Sequence, residues 1–264
     1  MTSSQPATEP PPQPVTGPSL QLVMSSLLRA DFAVLLKNRR ALLISIVLPI
    51  LILFSTNSGK ATKSFGGAEF IIGLAIAYGL VANSIMGYAL AVARDREQAV
   101  FQRLRVTPAP TWTIMTSRLA MQALANLVIT VVILIVGSRI HHISLSAGKY
   151  GLVLLVSIVG SAVFLSIGQA LVGLVKSADS INAAGRVLVL GLVLLSSLGQ
   201  SGTLGSAWES IARWSPVGVV MTLFAGVINL SAWDSTDSIA LLVCGGYIVV
   251  FAAIGIRWFQ WDAR

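Results

Sequence analysis

Six long apolar stretches limit what this chain can fold into. They cover residues 41–56, 70–93, 112–136, 150–175, 187–201 and 239–258. A helix needs about 20 apolar residues to cross the hydrocarbon core of a bilayer, and its internal hydrogen bonds satisfy the backbone there. Although the first and fifth stretches are short, the pattern predicts an all-α polytopic membrane protein with six transmembrane helices.

The composition argues against a soluble or disordered protein. Hydrophobic residues make up 55% of the 264 residues and charged residues only 11%, whereas about 25% of a soluble domain is charged. The net charge of +8 does not indicate a nucleic-acid partner, because membrane proteins collect Lys and Arg in their cytoplasmic loops. One cysteine and the adjacent His141 and His142, whose side chains diverge, predict no metal site.

The chain before the first apolar stretch has two parts. Residues 1–19 contain six of the ten prolines and are predicted to form a disordered tail. Residues 20–40 have apolar side chains at helical spacing, interrupted by charges, which predicts an amphipathic helix at the membrane surface. Its basic residues are expected to face lipid headgroups: Arg29, Lys37, Arg39 and Arg40. Residues 20–264 are then one transmembrane domain.

The positions of Lys and Arg predict the orientation. With the amino terminus in the cytoplasm, 13 of the 18 basic residues fall on the cytoplasmic side; the other five are Lys60, Lys63, Arg139, Lys149 and Arg213. The positive-inside rule therefore predicts a multi-pass cell-membrane protein with both termini in the cytoplasm. Arg118 lies within two turns of the cytoplasmic end of its span and is expected to snorkel to the interface.

Residues 204–237 do not fit a simple crossing. The apolar run 217–228 is too short to span and lies on the predicted outer side, before the last span. A re-entrant or interfacial hairpin fits this segment, with Trp208 and Trp214 at headgroup depth and Pro216 near a helix start.

Polar side chains recur at helical spacing within the apolar stretches. Such faces either form hydrogen bonds between helices or line a substrate route, and the sequence leaves both open. The residues are Asn83, Gln122, Asn126, Thr130, Ser157, Ser161, Gln169 and Gln200.

The absence of several motifs from the sequence limits the reactions that this chain is expected to perform. No span core contains Asp or Glu, which disfavours a proton-driven transporter because such transporters place ionisable relays in the membrane. The sequence has no phosphate-binding loop and no hydrolase motif. No catalytic residue and no cofactor of its own are expected, so the chain is predicted not to be an enzyme.

The cytoplasmic loop 94–110 contains a short helical pattern. Val100, Phe101 and Leu104 share one face among charged residues that include Glu97, Arg103 and Arg105. An apolar face on a charged helix suits a groove on a partner protein, and a solvated connector is the equal alternative.

This loop and the order of helices resemble an ABC-2 type ABC exporter permease. The family's loop carries Glu-x-Gly-Thr, then Leu, then Thr-Pro or Ser-Pro. The matching residues here are Glu97, Phe101, Arg103, Leu104, Thr107 and Pro108, with Ala99 and Val100 in place of Gly and Thr. Trp214–Ser215–Pro216 is similar to the family's outer motif before the last span.

The resemblance implies partner subunits and a class of cargo. A second permease subunit would complete a homo- or heterodimer, and a separate ATPase subunit would bind ATP and Mg. The loop would be a coupling helix in a groove of that ATPase, which the amino-terminal helix would also touch. Resemblance to daunorubicin-resistance type exporters implies a hydrophobic drug, antibiotic or lipid as cargo.

Two other classes remain open on the sequence. One is a stand-alone secondary carrier or channel, which would work from an ion gradient without an ATPase. The other is a membrane assembly or immunity factor that shares the topology but transports nothing.

Overall fold

The computed structural model describes residues 19–37, 39–57, 67–100, 111–200 and 205–258. All regular structure in these ranges is helical. The helices are α1 (Leu20–Lys37), α2 (Arg39–Ser55), α3 (Ala68–Glu97), α4 (Thr111–Ile140), α5 (Ala147–Leu174), α6 (Ala178–Gln200), α7 (Ser206–Trp214), α8 (Pro216–Ile228) and α9 (Ser235–Trp258). The predicted tail lies outside the described residues except for Ser19.

The prediction of an all-helical membrane protein is confirmed. Five described helices are long and apolar enough to cross a membrane, namely α3, α4, α5, α6 and α9. The pair α7 and α8, bent by 81°, makes a sixth if it is counted as one span. The first predicted span coincides with α2, whose 17 residues rise only about 26 Å.

The core forms where α3 and α8 meet. Ile72, Ile76 and Leu80 of α3 and Val220 and Phe224 of α8 are completely buried. Ten of the 13 residues of α8 are buried, beginning in its first turn, and the helix packs against α3, α5 and α9. The segment 217–228 is therefore a core helix of the bundle, and its apolar character comes from contact with protein.

The remaining helices surround this centre. The amino-terminal helix α1 has no buried residue and lies along α4, while α5 packs most extensively against α9. The helix that contains the fifth predicted span begins at Ala178 instead of residue 187. Counting apolar residues missed this start because Asp179 and Arg186 lower the hydropathy of its first turns.

Candidate functional site

Arg96, in the last turn of α3, is inserted beneath the neighbouring helices. It is only 3% exposed. Its guanidinium donates to the carbonyl oxygens of Val172 at 3.0 Å and Val175 at 2.8 Å, and also to that of Lys176. The last carbonyl groups of a helix have no partner within the helix, and a cation near them is favoured by the helix dipole. Arg96 thus stabilises the end of α5.

The next residue, Glu97, stabilises the start of α6. Its Oε1 accepts a hydrogen bond of 2.6 Å from the backbone N–H of Ala178, the first residue of α6. The N-cap residue Ser177 accepts another, of 3.1 Å, from the N–H of Ser180. A helix start presents unpaired N–H groups and attracts negative charge. We call Arg96 and Glu97 the clamp, because together they hold both sides of the α5–α6 turn.

The predicted coupling loop begins directly after the clamp. Glu97 and Val100 lie within the described residues, and the other loop residues of interest do not: Phe101, Arg103, Leu104 and Arg105. Between them, Ala99 has a φ of 54°, in the left-handed region that favours glycine. The backbone therefore turns sharply away from α3 at the position where the family pattern has Gly.

A second set of charges joins α1, α3 and α4 at the same end of the bundle. Arg118 of α4 forms ion pairs with Asp95 of α3 and, at 3.9 Å, with Asp31 of α1. Ser117 donates a 2.6 Å hydrogen bond to Asp31. Burial raises the pKa of the Asp31 carboxyl, and Ser117 and Arg118 act in the opposite direction. Arg118 is therefore paired with two carboxylates at this end of the bundle, and its expected reach to the membrane interface stays a prediction.

The predicted basic residues of the surface helix are only partly described. Arg29 and Lys37 lie exposed on α1. Arg39 and Arg40 begin α2, and their side chains lie outside the described residues. Contact of these four residues with lipid headgroups stays a prediction.

A buried polar network joins the middle of α3 to the middle of α4. Asn83 donates to Asn126 at 2.7 Å, and Asn126 donates to Ser84 at 3.1 Å. Residues Asn83–Ala89 of α3 form a π-helical segment, and the amide of Gln122 donates to the Asn83 carbonyl oxygen at 3.0 Å. Because a π segment disturbs the α-helical hydrogen-bond pattern, Gln122 supplies a donor where the helix changes register.

The network continues along α5, where the polar residues differ in their partners. Thr130 of α4 lies 2.6 Å from Ser157, hydroxyl to hydroxyl, and Tyr88 of α3 donates to Gln169. Ser161, which is 1% exposed, has no hydrogen-bond partner for its hydroxyl among the described residues. The side chain of Gln200 lies outside the described residues. Six of the eight predicted polar residues therefore form hydrogen bonds between helices, and a role in a substrate route stays a prediction.

The bend between α7 and α8 is built around Ser215. Its hydroxyl accepts from the N–H of Gly218 at 3.1 Å and lies 3.0 Å from that of Ser196 in α6. Pro216 occupies the first turn of α8, where a missing N–H costs nothing. A Cβ on Gly218 would lie 2.0 Å from the Ala212 carbonyl oxygen, so this close approach requires glycine.

The two tryptophans of the predicted hairpin both belong to α7, near its start and at its end. Trp208 is 51% exposed. Trp214 is half-buried, and its carbonyl oxygen accepts a 2.8 Å hydrogen bond from Tyr247 of α9. The bent pair is thereby tied to the last helix, and a headgroup depth for the tryptophans stays a prediction.

Comparison with known proteins identifies the family. A family model described as ABC-2 type transporter matches residues 23–229. The chain belongs to the ABC-2 type transporter family. A protein named "Putative transport permease YvfS", from Bacillus subtilis (strain 168), is 22% identical over 192 residues, which cover 71% of this chain and 78% of that protein. The chain is thus a membrane protein of a transporter family, similar to a transport permease.

Several contacts of this ABC-2 chain cannot be predicted from its sequence. In the sequence, Arg96 and Asp95 look like ordinary loop charges, nothing marks Ser84, and Ser215 stands in the outer motif without a role of its own. Glu97 was assigned to a partner groove, although its carboxylate faces α6. The consecutive residues Arg96 and Glu97 do indicate such a contact, since a cation is favoured at the end of one helix and an anion at the start of the next.

Proposed function

We propose that the chain is the permease subunit of an ATP-driven exporter. A separate ATPase subunit would bind ATP and Mg, and a second permease subunit would complete the pathway. The cargo would be a hydrophobic drug, antibiotic or lipid, moved out of the cytoplasm or the inner leaflet of the cell membrane. Membership of the ABC-2 type transporter family supports this proposal, and so does the absence of a phosphate-binding loop from the sequence.

The clamp is the observation that carries the coupling step. It lies immediately before the loop 101–110, and it contacts the end of α5 and the start of α6. A rigid element passes a displacement to whatever is bonded to its end. A push by the ATPase on this loop would therefore move the α5–α6 turn together with α3.

Phe101 and Leu104 are the proposed anchors of the ATPase contact. They are apolar side chains in a segment rich in charge, where lipid does not cover them in the proposed orientation. Truncating one buried aromatic anchor of an interface typically costs about 2 kcal/mol, or roughly thirty-fold in binding.

Co-purification and ATP hydrolysis test the proposal. The experiment first looks for an ATPase reading frame next to the permease gene. That ATPase is then co-expressed with wild-type permease and with Phe101→Ala/Leu104→Ala. We expect the double variant to insert normally but to lose ATPase binding and substrate-stimulated hydrolysis. Arg139→Ala serves as the control, because Arg139 is exposed at the opposite end of α4.

The same preparation distinguishes the other classes. Unchanged assembly and coupling in the double variant would refute the coupling role of the loop. Transport by the purified permease with an ion gradient alone would identify a secondary carrier. Absence of transport under both conditions would favour an assembly or immunity factor.

The orientation is part of the proposal and has its own test. The bias of Lys and Arg supports a cytoplasmic position for both termini and for residues 94–110. A membrane-impermeant thiol reagent added from outside should label a cysteine placed at Gly148 and spare one placed at Gln98. The reverse labelling would invert the molecule and remove the loop from any cytoplasmic ATPase.

A further inference from the structure

A cleft lies between α4, α5 and α9 at the end of the bundle that leads to the loop 101–110. It holds about 820 Å³, a volume typical of sites for drug-sized molecules. Its lining comes from residues 112–123 of α4, 158–169 of α5 and 248–256 of α9. The first two segments each rise about 16 Å, which is about half the thickness of the hydrocarbon core. The length of the cleft therefore corresponds to about one leaflet of a membrane.

The cleft opens sideways, and α5 and α9 meet closely near its end that leads to the loop 101–110. Trp112, Ile158 and Ile256 at its rim are 58%, 50% and 76% exposed, as expected for side chains that face lipid. At the end of the cleft that leads to the loop 101–110, α5 and α9 approach closely. A Cβ added to Gly173 would lie only 3.3 Å from the Gly255 carbonyl oxygen. A molecule can thus reach the cleft from the lipid phase without crossing the bundle.

One polar group in this apolar cleft has no partner. Ser161 lines the cleft, is 1% exposed, and its hydroxyl forms no hydrogen bond with any described residue. By contrast, Ser166 in the same cleft donates to the Val163 carbonyl oxygen at 2.7 Å. A buried hydroxyl without a partner is unfavourable, so the site favours a ligand that brings an acceptor. Because protein atoms cover this hydroxyl in the structure, such a ligand reaches it by displacing the side chains around it.

Gln169 supplies a second donor nearer the loop end. Its amide oxygen accepts from Tyr88, which leaves its amide N–H groups for a molecule in the cleft. Gln169 lies about 12 Å from Ser161 along α5, since the two are eight residues apart. The two donors are thus separated along the length of the cleft.

We propose that this cleft binds an elongated, apolar small molecule that carries a hydrogen-bond acceptor, such as a ketone or an ester, and that enters from the adjacent leaflet. Ser161 donates to the acceptor, and the apolar walls cover the rest. A plain acyl chain does not match this site, because it offers no acceptor at the depth of Ser161. The binding site belongs to this chain alone and does not depend on coupling to ATP.

Photolabelling tests the proposal. The probe is a 4-alkylbenzophenone, whose ketone is both the acceptor and the photoreactive group, added to phospholipid vesicles that contain the full-length permease. We expect labels in segments 112–123 and 158–169. An unlabelled alkyl phenyl ketone should compete about five-fold better than the alkylbenzene of equal length, the effect of one hydrogen bond.

Four variants connect the labelling to the cleft. Ser161→Ala should abolish the preference for the ketone, whereas Ser166→Ala should keep it, because that hydroxyl already donates to Val163. Ala162→Phe should fill the cleft and prevent labelling while the size-exclusion profile stays unchanged. Ala252→Phe does the same from α9 and replaces Ala162→Phe if that variant does not fold.

Three results would overturn the proposal. Labels spread evenly over all lipid-facing helices would mean that no site exists. Equal competition by the hydrocarbon in the wild type would identify an acyl-chain groove instead. A ketone preference that survives Ser161→Ala would remove Ser161 from the site. No ATPase is present in this assay, so its outcome is separate from that of the coupling experiment.

Discussion

Replacing Arg96 by Met tests how the end of α3 is held. Methionine keeps an unbranched apolar stem but removes the guanidinium, and the carbonyl oxygens at the end of α5 lose their donor. Each hydrogen bond to a charged group contributes about 1.5–3 kcal/mol, and removing a buried charge returns part of this energy. With Arg96 3% exposed and bonded to three carbonyl groups, we expect a loss of about 3 kcal/mol, or roughly 150-fold in the opening equilibrium of the turn.

Hydrogen exchange measures this opening directly. Backbone amides at the start of α6, including that of Ala178, should exchange roughly 150-fold faster in Arg96→Met. Arg96→Lys should lie between the two, because an ammonium is a single point charge that does not reach three carbonyl groups at once. Arg94→Met is the control, since Arg94 belongs to the same turn and is exposed.

One result would refute the reasoning about the clamp. If Arg96→Met exchanges within about three-fold of the wild type, the guanidinium contributes less than 1 kcal/mol to holding the turn. The α5–α6 turn would then be free to move independently of α3, and the mechanical step of the proposed coupling would lose its support.

Three further predictions concern other parts of the chain. Ala99→Gly should stabilise the protein by about 1 kcal/mol, measured by thermal unfolding, because glycine adopts the left-handed backbone of this position without strain; an unchanged or lower midpoint would contradict this. Asn126→Ala should destabilise the bundle by about 1–2 kcal/mol in a denaturation series, while Ser138→Ala, which loses only bonds within its own helix, should cost less than 0.5 kcal/mol. Accessibility tags at Ser206 and Ser235 should both report the outer side if the bent pair re-enters, and tags on opposite sides would instead mean a crossing.

The helices were predictable because the composition of each segment reflects the environment in which it lies. An apolar stretch of 20 residues leaves few alternatives to a membrane helix, and the polar residues at a spacing of four in α4 correctly indicated one face. The start of α6 was missed because hydropathy counts composition, whereas the helix begins where Ser177 and Glu97 cap it. The capping residues carry the signal, but one of them is supplied by another helix.

The partners within the site were not predictable, because they depend on packing between distant segments. Asn83 was selected as polar, yet its pairing with Asn126 depends on a π segment that no periodicity reveals. In the sequence, Arg96 resembles any other charge of the cytoplasmic loop. Only the structure shows that it lies beside the turn after α5. Its burial is a property of the α3–α5 contact, about 80 residues apart in sequence, and local sequence carries no record of that distance.

The two charged arrangements act on the same part of α3. Asp95 ties its last turn to α1 and α4 through Arg118, and the neighbouring Arg96 and Glu97 tie it to α5 and α6. The proposed cleft lies between α4 and α5, and the last turn of α3 is bonded to both of these helices. The close contact of Gly173 and Gly255 links α9 to α5. A displacement of the end of α3 would consequently change the separation of α4 from α5 and α9. We expect a movement of the loop 101–110 to widen or narrow this cleft. The loop would in this way affect a bound molecule that it does not contact.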